Sequence, residues 1–573
     1  MDFQTNFDVL PKDASLTVIY GKAGEIFEEQ ARRDRQTDYT QKMAFDDAIW
    51  YIAEEAQRQD FIHLRGKSIK QIANEIGDSI SRYVRSYVKI LMVATEAVPY
   101  AKEGGVADVI GSLPKALVAL GHKVCIFLPR YGRIDPTHWA LQPTGIVRKL
   151  SIAGYESTVS LWQTTLPDAP VTVYLLENEE FFGRHPQLYL GQDQLEEQYR
   201  FLLFCRGLLE VLPLLDFVPD IIHLNDWQTA PCAAYLRTNY RHLLRRGATR
   251  IVYTVHNLQY QGRWDPSILD EAGLDRAQVF TPDGLESWGD VNWMKAGIVY
   301  ADVITTVSRR YAEEIQTLDQ GWGLDEVLFH RRPRIFGIPN GLDWDAWNPA
   351  TDKELTVQYT ETDAPEAKKR NRSALRQEFG LPDEPEVPLL GIVSRLADQK
   401  GFDLIAEIAN ELRDLPLQLV VLGKGDAGYV QLFHELEATT SNVRACIDFN
   451  DPLSRRIYAG ADFFLMPSKF EPGGLGQLIA LRYGTLPIVH ATGGLADTVT
   501  DLDADPGNGN GISFKPYTAS ALLDALQRAL RLYRDREHWP GLIARAMVYD
   551  SRWPASAGVY GDLYRRVLRL PPI

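Results

Sequence analysis

One carboxylate in this chain is set apart by its surroundings. Glu471 follows an apolar run, Phe464 to Met466, and the dipeptide Pro467-Ser468, and it opens a glycine-rich turn at Gly473 and Gly474. A helix-period segment then runs from Leu475 to Arg482, a short strand from Leu486 to Val489, and a second glycine pair, Gly493-Gly494, follows. Two strand–glycine–helix units in succession put backbone N–H groups and helix N-termini at the carboxyl edge of a parallel sheet. That edge suits a ligand that is both anionic and polar: a pyrophosphate held by its charge, a sugar held by its hydroxyls. Arg395 and Lys400, in GIVSRLADQKGFDLI, also lie between a buried strand and a helix, close enough to converge on one phosphate pair. A departing nucleoside diphosphate needs positive charge aimed at the charge that develops on it.

Three further loops carry candidate groups. In AKEGGVADVIGSLPKAL, Lys102 and the Gly104-Gly105 pair stand between a strand and a helix, an anion-binding geometry that also reads as a tight turn with a solvated lysine. His256 closes the strand of YTVHNLQYQG, where an imidazole can donate to a sugar hydroxyl or serve as a satisfied structural histidine. Asp226 ends the strand of HLNDWQTAP and is also placed to cap the following helix. The stretch Gly423 to Gly428 fits G-x-G-x-x-G with Asp448 downstream, but it lies mid-domain and not on a first strand, against a dinucleotide role. Asp501, Asp503 and Asp505 begin like a calcium loop, but Pro506 and Ile512 occupy the positions of the glycine and the closing glutamate. No metal-ligand spacing and no serine-hydrolase elbow is present, so no metal or cofactor is expected.

Such loops need strands to carry them, and the strands are legible. From Val88 onward, buried-type apolar runs (VKILMVATEA, KVCIFLP, VTVYLLE, DIIHLND, RIVYTVH, DVITTVS) alternate with helical or loop segments, and the rhythm restarts after Pro333 with IFGIPNG, LLGIVSR, LQLVVLG, RACIDF, DFFLMPS and LPIVHA. This predicts an α/β protein of two Rossmann-like doubly wound domains, 88–334 and 335–549, facing a cleft. A helix from Ser556 to Leu570 has no strand after it and is expected, within 550–573, to pack back on the first domain. Residues 1–87 are charged, poor in glycine and helix-patterned, and read as a helical N-terminal extension.

With 573 residues, 45% apolar and 24% charged, the chain has the composition of a globular protein of more than one core. A net charge of −15 argues against nucleic acid or an anionic membrane as partner. Twelve Trp and 26 Tyr would suit sugar stacking, although most aromatic residues in a chain this long are core. Cys125, Cys205, Cys232 and Cys446 are scattered among apolar neighbours, as reduced thiols are, and the N-terminus lacks the apolar segment of a signal peptide. A cytoplasmic location is expected; the oligomeric state is not readable.

The motifs AKEGGVADVIGSLPKAL, HLNDWQTA, YTVHNLQYQG, ADVITTVS, IPNGLDWDAWNP, VSRLADQKG, IYAGADFFLMPSKFEPGGLGQL and TGGLADTV occur in an order that resembles the bacterial glycogen synthase and plant starch synthase family, retaining glucosyltransferases of GT-B fold, over about residues 88–565. The resemblance implies metal-free transfer of glucose from ADP-glucose to the non-reducing end of an α-1,4-glucan. By motif, it places Lys102, Gly104 and Gly105 on the donor, Asp226 and His256 in the glucose pocket, and Asn340 in the cleft. Arg395 and Lys400 fall on the diphosphate, Glu471 beside the reacting sugar, and the amides of Thr492, Gly493, Gly494 and Leu495 on phosphate. Glu103, Val106, Gly473, Gly476, His490 and Ala491 depart from the family's pattern, the last two where it has arginines. Those departures leave open another donor or acceptor, or a catalytically weak glucan-binding paralogue.

Overall fold

The computed structural model describes residues 87–569 apart from 153, 192, 193 and 248; the expected helical extension lies outside the described residues except for its last position. Two sheets organise the chain. The first has nine strands in the order β12-β11-β7-β6-β1-β2-β5-β4-β3. Its centre is β1 (Lys89–Val93), β2 (Lys123–Pro129), β6 (Ile221–Asn225), β7 (Arg250–Val255) and β11 (Val303–Thr306), all parallel. These strands are almost wholly buried because helices cover both faces, which is why each reads as a continuous apolar run. β12 (Ile335–Gly337) and β5 (Thr172–Glu177) extend it in parallel.

The far edge differs from the expected rhythm. β3 (Gln142–Ile152) and β4 (Tyr155–Thr165) form an antiparallel hairpin beside β5, with a register break between Pro143 and Val147. β3 alternates exposed and half-buried residues, the signature of an edge strand wetted on one face, and so carries no apolar run. A second small sheet joins β8 (Arg263–Trp264), β9 (Glu286–Ser287) and β10 (Asp290–Asn292).

The second large sheet is parallel throughout, in the order β15-β14-β13-β16-β17-β18: β13 (Leu389–Val393), β14 (Gln418–Leu422), β15 (Val443–Cys446), β16 (Phe463–Met466), β17 (Leu486–His490) and β18 (Ile512–Phe514). Among the parallel strands of each sheet the order reverses at one point, between β1 and β6 in the first and between β13 and β16 in the second. Open α/β sheets bind ligands outside the carboxyl ends of the strands at such reversals. The five helices used below are α1 (Gly105–Ala119), α2 (Arg309–Glu314), α3 (Gly476–Arg482), α4 (Gly493–Thr498) and α5 (Trp553–Arg569).

Each sheet has its own apolar core. The last helix, α5, belongs to the first: Trp553, Ala557, Tyr560, Leu563, Tyr564 and Val567 are buried in it. Tyr564 Oη lies 2.8 Å from His223 Nδ1, and His223 Nε2 lies 2.5 Å from Thr254 Oγ1. The chain thus crosses between lobes twice, and the crossings touch. Leu342 N donates to Ser551 O at 2.7 Å, and a Cβ on Gly341 would stand 2.6 Å from Trp553 Cα, so only glycine fits there. No helix among the described residues is long and apolar enough to cross a membrane.

Candidate functional site

The two strand-order reversals face each other, and the singled-out residues gather on their rims. On the second lobe, Arg395 and Lys400 follow β13 and Glu471 follows β16, the two strands flanking the reversal. Lys400 Nζ donates to Glu471 Oε2 at 2.6 Å, and Ser468 Oγ donates to the same oxygen at 3.1 Å. Glu471 is buried while Arg395 is exposed, its guanidinium free of any ion pair among the described residues. His490 sits behind this turn, its ring nitrogens 2.8 Å from Ser468 O and 3.0 Å from Lys515 O. It braces the backbone that carries Ser468 and does not line the cleft.

The glycines of the two turns interlock. Gly494 N donates to Glu471 O at 2.9 Å, and a Cβ on Gly494 would meet Gly473 O at 2.0 Å. The amide of Gly494 therefore closes the Glu471 turn, and that of Leu495 bonds Thr492 O at 3.0 Å. What remains for an anion is the Thr492 hydroxyl and the Gly493 amide, and both hold one: Glu314 of the first lobe accepts from them at 3.2 and 3.1 Å. The arrangement is reciprocal. Asp497, on α4, accepts from Ser308 Oγ at 2.8 Å and from Arg309 N at 2.6 Å, at the start of α2. Each short helix receives a carboxylate from the other lobe, the favourable end for negative charge.

On the first lobe, Asp226 follows β6 with a left-handed backbone, φ 57°, which aspartate tolerates better than most residues. Its carboxylate accepts from His256 N at 2.8 Å, so it ties down the His256 loop and does not cap its own helix. His256 is oriented by Asn225, whose amide nitrogen donates to Val93 O at 3.0 Å and turns its oxygen to His256 Nε2 at 2.9 Å. Nε2 therefore carries the proton and Nδ1 the lone pair. Burial pushes the imidazole down to about 3, so it is neutral at pH 7 and offers a ligand an acceptor, not the donor expected of it. Asn340, between the lobes, has a buried amide oxygen without a hydrogen-bond partner among the described residues, and a Cβ on Gly473 would lie 3.2 Å from its Nδ2.

The Lys102 loop is engaged differently from expectation. Lys102 Nζ pairs with Asp108 on α1 at 2.8 Å and is 39% exposed. The amides of Glu103 and Gly104 donate inward to Glu96 Oε2 at 2.7 and 2.8 Å. Gly105 faces the other lobe, where a Cβ on it would touch Leu475 at 3.7 Å. Glu96, a buried acid at the end of β1, was not singled out from sequence. It has the signal that marked Asp226, a carboxylate closing an apolar strand. Burial raises its carboxyl, and its charge adds to the burial that pushes Asp226 up to about 7.

That shift has a measurable sign. Unfolded, Asp226 loses its proton near the ordinary aspartate value of 3.8; folded, it keeps it to about 7. The folded chain binds the extra proton in between, so stability falls as pH rises through that window. Asp226→Asn, which still offers His256 N an acceptor, is expected to flatten the fall. Urea midpoints at about pH 5 and about pH 8 measure it, and equal slopes for variant and parent would refute the assignment.

The G-x-G-x-x-G stretch and the Asp501–Asp505 loop both have structural roles. Gly423 and Gly425 let one backbone pass another, since a Cβ on either would sit 2.0 Å from a carbonyl oxygen, that of Ser394 or Leu396. Asp501 and Asp503 are paired with Arg528 at 2.6 Å.

Comparison with known proteins follows the same division of the chain. Residues 89–330 match the starch synthase catalytic domain, and residues 371–540 match glycosyl transferases group 1. The chain is 45% identical to a glycogen synthase of Moorella thermoacetica, over 84% of this chain and 97% of that one. It belongs to the glycogen synthase family. A glycogen synthase of Desulforudis audaxviator is 46% identical over 83% of this chain and 96% of its own length. Among solved structures, the catalytic domain of starch synthase IV from Arabidopsis thaliana, bound to ADP and acarbose, superposes with a TM-score of 0.78 at 36% identity, covering 85% of this chain and all of that one. This member of the glycogen synthase family is a hexosyltransferase of GT-B fold.

Proposed function

We propose that the protein transfers glucose from ADP-glucose to the non-reducing end of an α-1,4-glucan with retention at the anomeric carbon. The observation that carries this is Glu471, buried and held by Lys400 and Ser468 at the strand-order reversal of one lobe. In this reading the bond from glucose C1 to the diphosphate breaks, the acceptor hydroxyl attacks from the same face, and its proton passes to the departing diphosphate oxygen. Arg395 and Lys400 stabilise the diphosphate's growing charge, and Glu471 faces the positive charge on the sugar ring. The lone pair of His256 Nδ1 and the buried oxygen of Asn340 accept from sugar hydroxyls. Thr492 Oγ1 and Gly493 N take a donor phosphate in place of Glu314, so donor binding and the clasp between the lobes compete for one position. Lobe closure excludes the water that would otherwise intercept the sugar cation. Four free cysteines suit a cytoplasmic enzyme.

A donor with another nucleotide is the second reading, favoured by His490 and Ala491 standing where the family has arginines. Incubation with glycogen and either ADP-glucose or UDP-glucose separates the two: ADP release with chain growth is expected from the first donor. Turnover of UDP-glucose alone transfers the assignment to the second reading, and turnover of neither removes both.

A further inference from the structure

Two Trp-Gly dipeptides bend the backbone in the same unusual way. Trp288 and Gly289 have φ of 56° and 85°, and Trp322 and Gly323 have 51° and 78°. Glycine takes this left-handed region freely, whereas a bulky residue there is strained. Trp288-Gly289 is the two-residue tip between β9 and β10, a place where hairpins prefer Asn-Gly because both central residues need positive φ. Tryptophan is poorly suited to that position, and burial does not compensate it: Trp288 is 81% exposed. Strain of this kind persists where function uses it.

The two turns lie against each other and against the reaction site. A Cβ on Gly323 would stand 3.3 Å from Trp288 Nε1. Trp322, 43% exposed, packs edge-on against Phe470 across the cleft with ring centroids 5.6 Å apart, and Phe470 immediately precedes Glu471. Gln261 fixes the Trp322 carbonyl at 3.0 Å and is itself held by Asn292 of β10 at 2.6 Å. Tyr260, 36% exposed, lies on the loop that carries His256. The exposed rings of Trp288 and Trp322 thus lead from the hairpin tip to buried Phe470, the sequence neighbour of Glu471.

We infer that Trp288 and Trp322, flanked by Tyr260, form a stacking track for the glucan acceptor, along which an α-1,4-linked chain lies as its non-reducing end reaches Glu471. The inference rests on the proposed function. Each pyranose presents an apolar face of C–H groups, which a flat aromatic ring covers while the equatorial hydroxyls stay in water. A neutral polymer also needs no cation at its track, in keeping with the aromatic lining.

Trp288→Asn tests this, because asparagine suits the turn. The variant is expected to melt at or above the parent's temperature while its KM for glycogen rises on the order of tenfold, with kcat at saturating glycogen little changed. Titration with maltoheptaose is expected to change the intrinsic fluorescence of the parent and to do so less in the variant. Trp322→Phe, which keeps a ring against Phe470, is expected to raise KM less than Trp322→Ala. A KM for glycogen within about twofold of the parent in both Trp288→Asn and Trp322→Ala would overturn the track. So would a change in oligomeric state on Trp288→Asn without a change in KM, which would make the tip a self-association surface. Parent protein that turns over no donor, yet binds maltoheptaose in a Trp288-dependent way, would sink the proposed reaction and leave the track standing.

Discussion

Glu471→Gln is expected to lower kcat by about 10²–10³ while leaving ADP affinity within a few-fold of the parent. The carboxylate sits at the mouth of the glycine turn with one oxygen held by Lys400 at 2.6 Å and Ser468 at 3.1 Å, in a position almost closed to solvent. In such surroundings a negative charge facing a sugar cation acts with little screening, and glutamine keeps the shape while removing the charge. The substitution also strips Lys400 of its counter-ion, so a lower melting temperature accompanies the kinetic loss. Lys400→Ala separates the two effects by raising KM for the donor as well as lowering kcat. The double variant should lose less than the product of the single losses, since both side chains belong to one ion pair. Steady-state kinetics with ADP-glucose and glycogen measure all three; a Glu471→Gln enzyme within about threefold of the parent kcat would remove Glu471 from the chemistry.

Gly494→Ala is expected to cost about 10²-fold in kcat/KM through position alone. Its added methyl would stand 2.0 Å from Gly473 O and 2.5 Å from Gly473 C, backbone atoms that cannot swing aside. The Glu471 turn and the Thr492 turn must therefore part, and a shift of about an ångström is enough to spoil alignment between a carboxylate and a reacting carbon. Gly428→Ala is the matched control. It belongs to the G-x-G-x-x-G stretch, but a Cβ there meets nothing within 4 Å, and the position lies in a helix, so activity should be unchanged and stability equal or slightly higher. Thermal unfolding alongside kcat/KM checks both, and an active Gly494→Ala enzyme would show that the two turns need not touch.

The parallel strands were legible because helices on both faces leave them mostly apolar, as in KILMV and RIVYTV. The β3–β4 hairpin was not, because an edge strand wetted on one face mixes polar and apolar positions. Glu471, Arg395, Lys400, Asp226 and His256 stood out because each closes or follows a strand, and topology alone brings such positions to one rim. Contacts made across the cleft left no trace in local pattern. Glu314 with Gly493, or Asp497 with Ser308, join residues far apart in the chain. Nor could local pattern reveal that Lys102 pairs with its own helix, or that the Glu103 and Gly104 amides turn inward to Glu96. The two tryptophans were counted among many aromatic residues, and only their φ angles and exposure separate them from the core.

The return of α5 to the first core bears on the order in which the molecule is made. Synthesis proceeds from the N-terminus, and domains usually mature as they emerge from the ribosome. Here the first lobe lacks Trp553, Tyr560 and Tyr564 until the segment beyond residue 552 is translated, so the second lobe, whose core is contiguous in the chain, can finish earlier. A nascent chain stalled short of Trp553 would hold a finished second lobe beside an open first one, and α5 would serve as the latch that completes the first core.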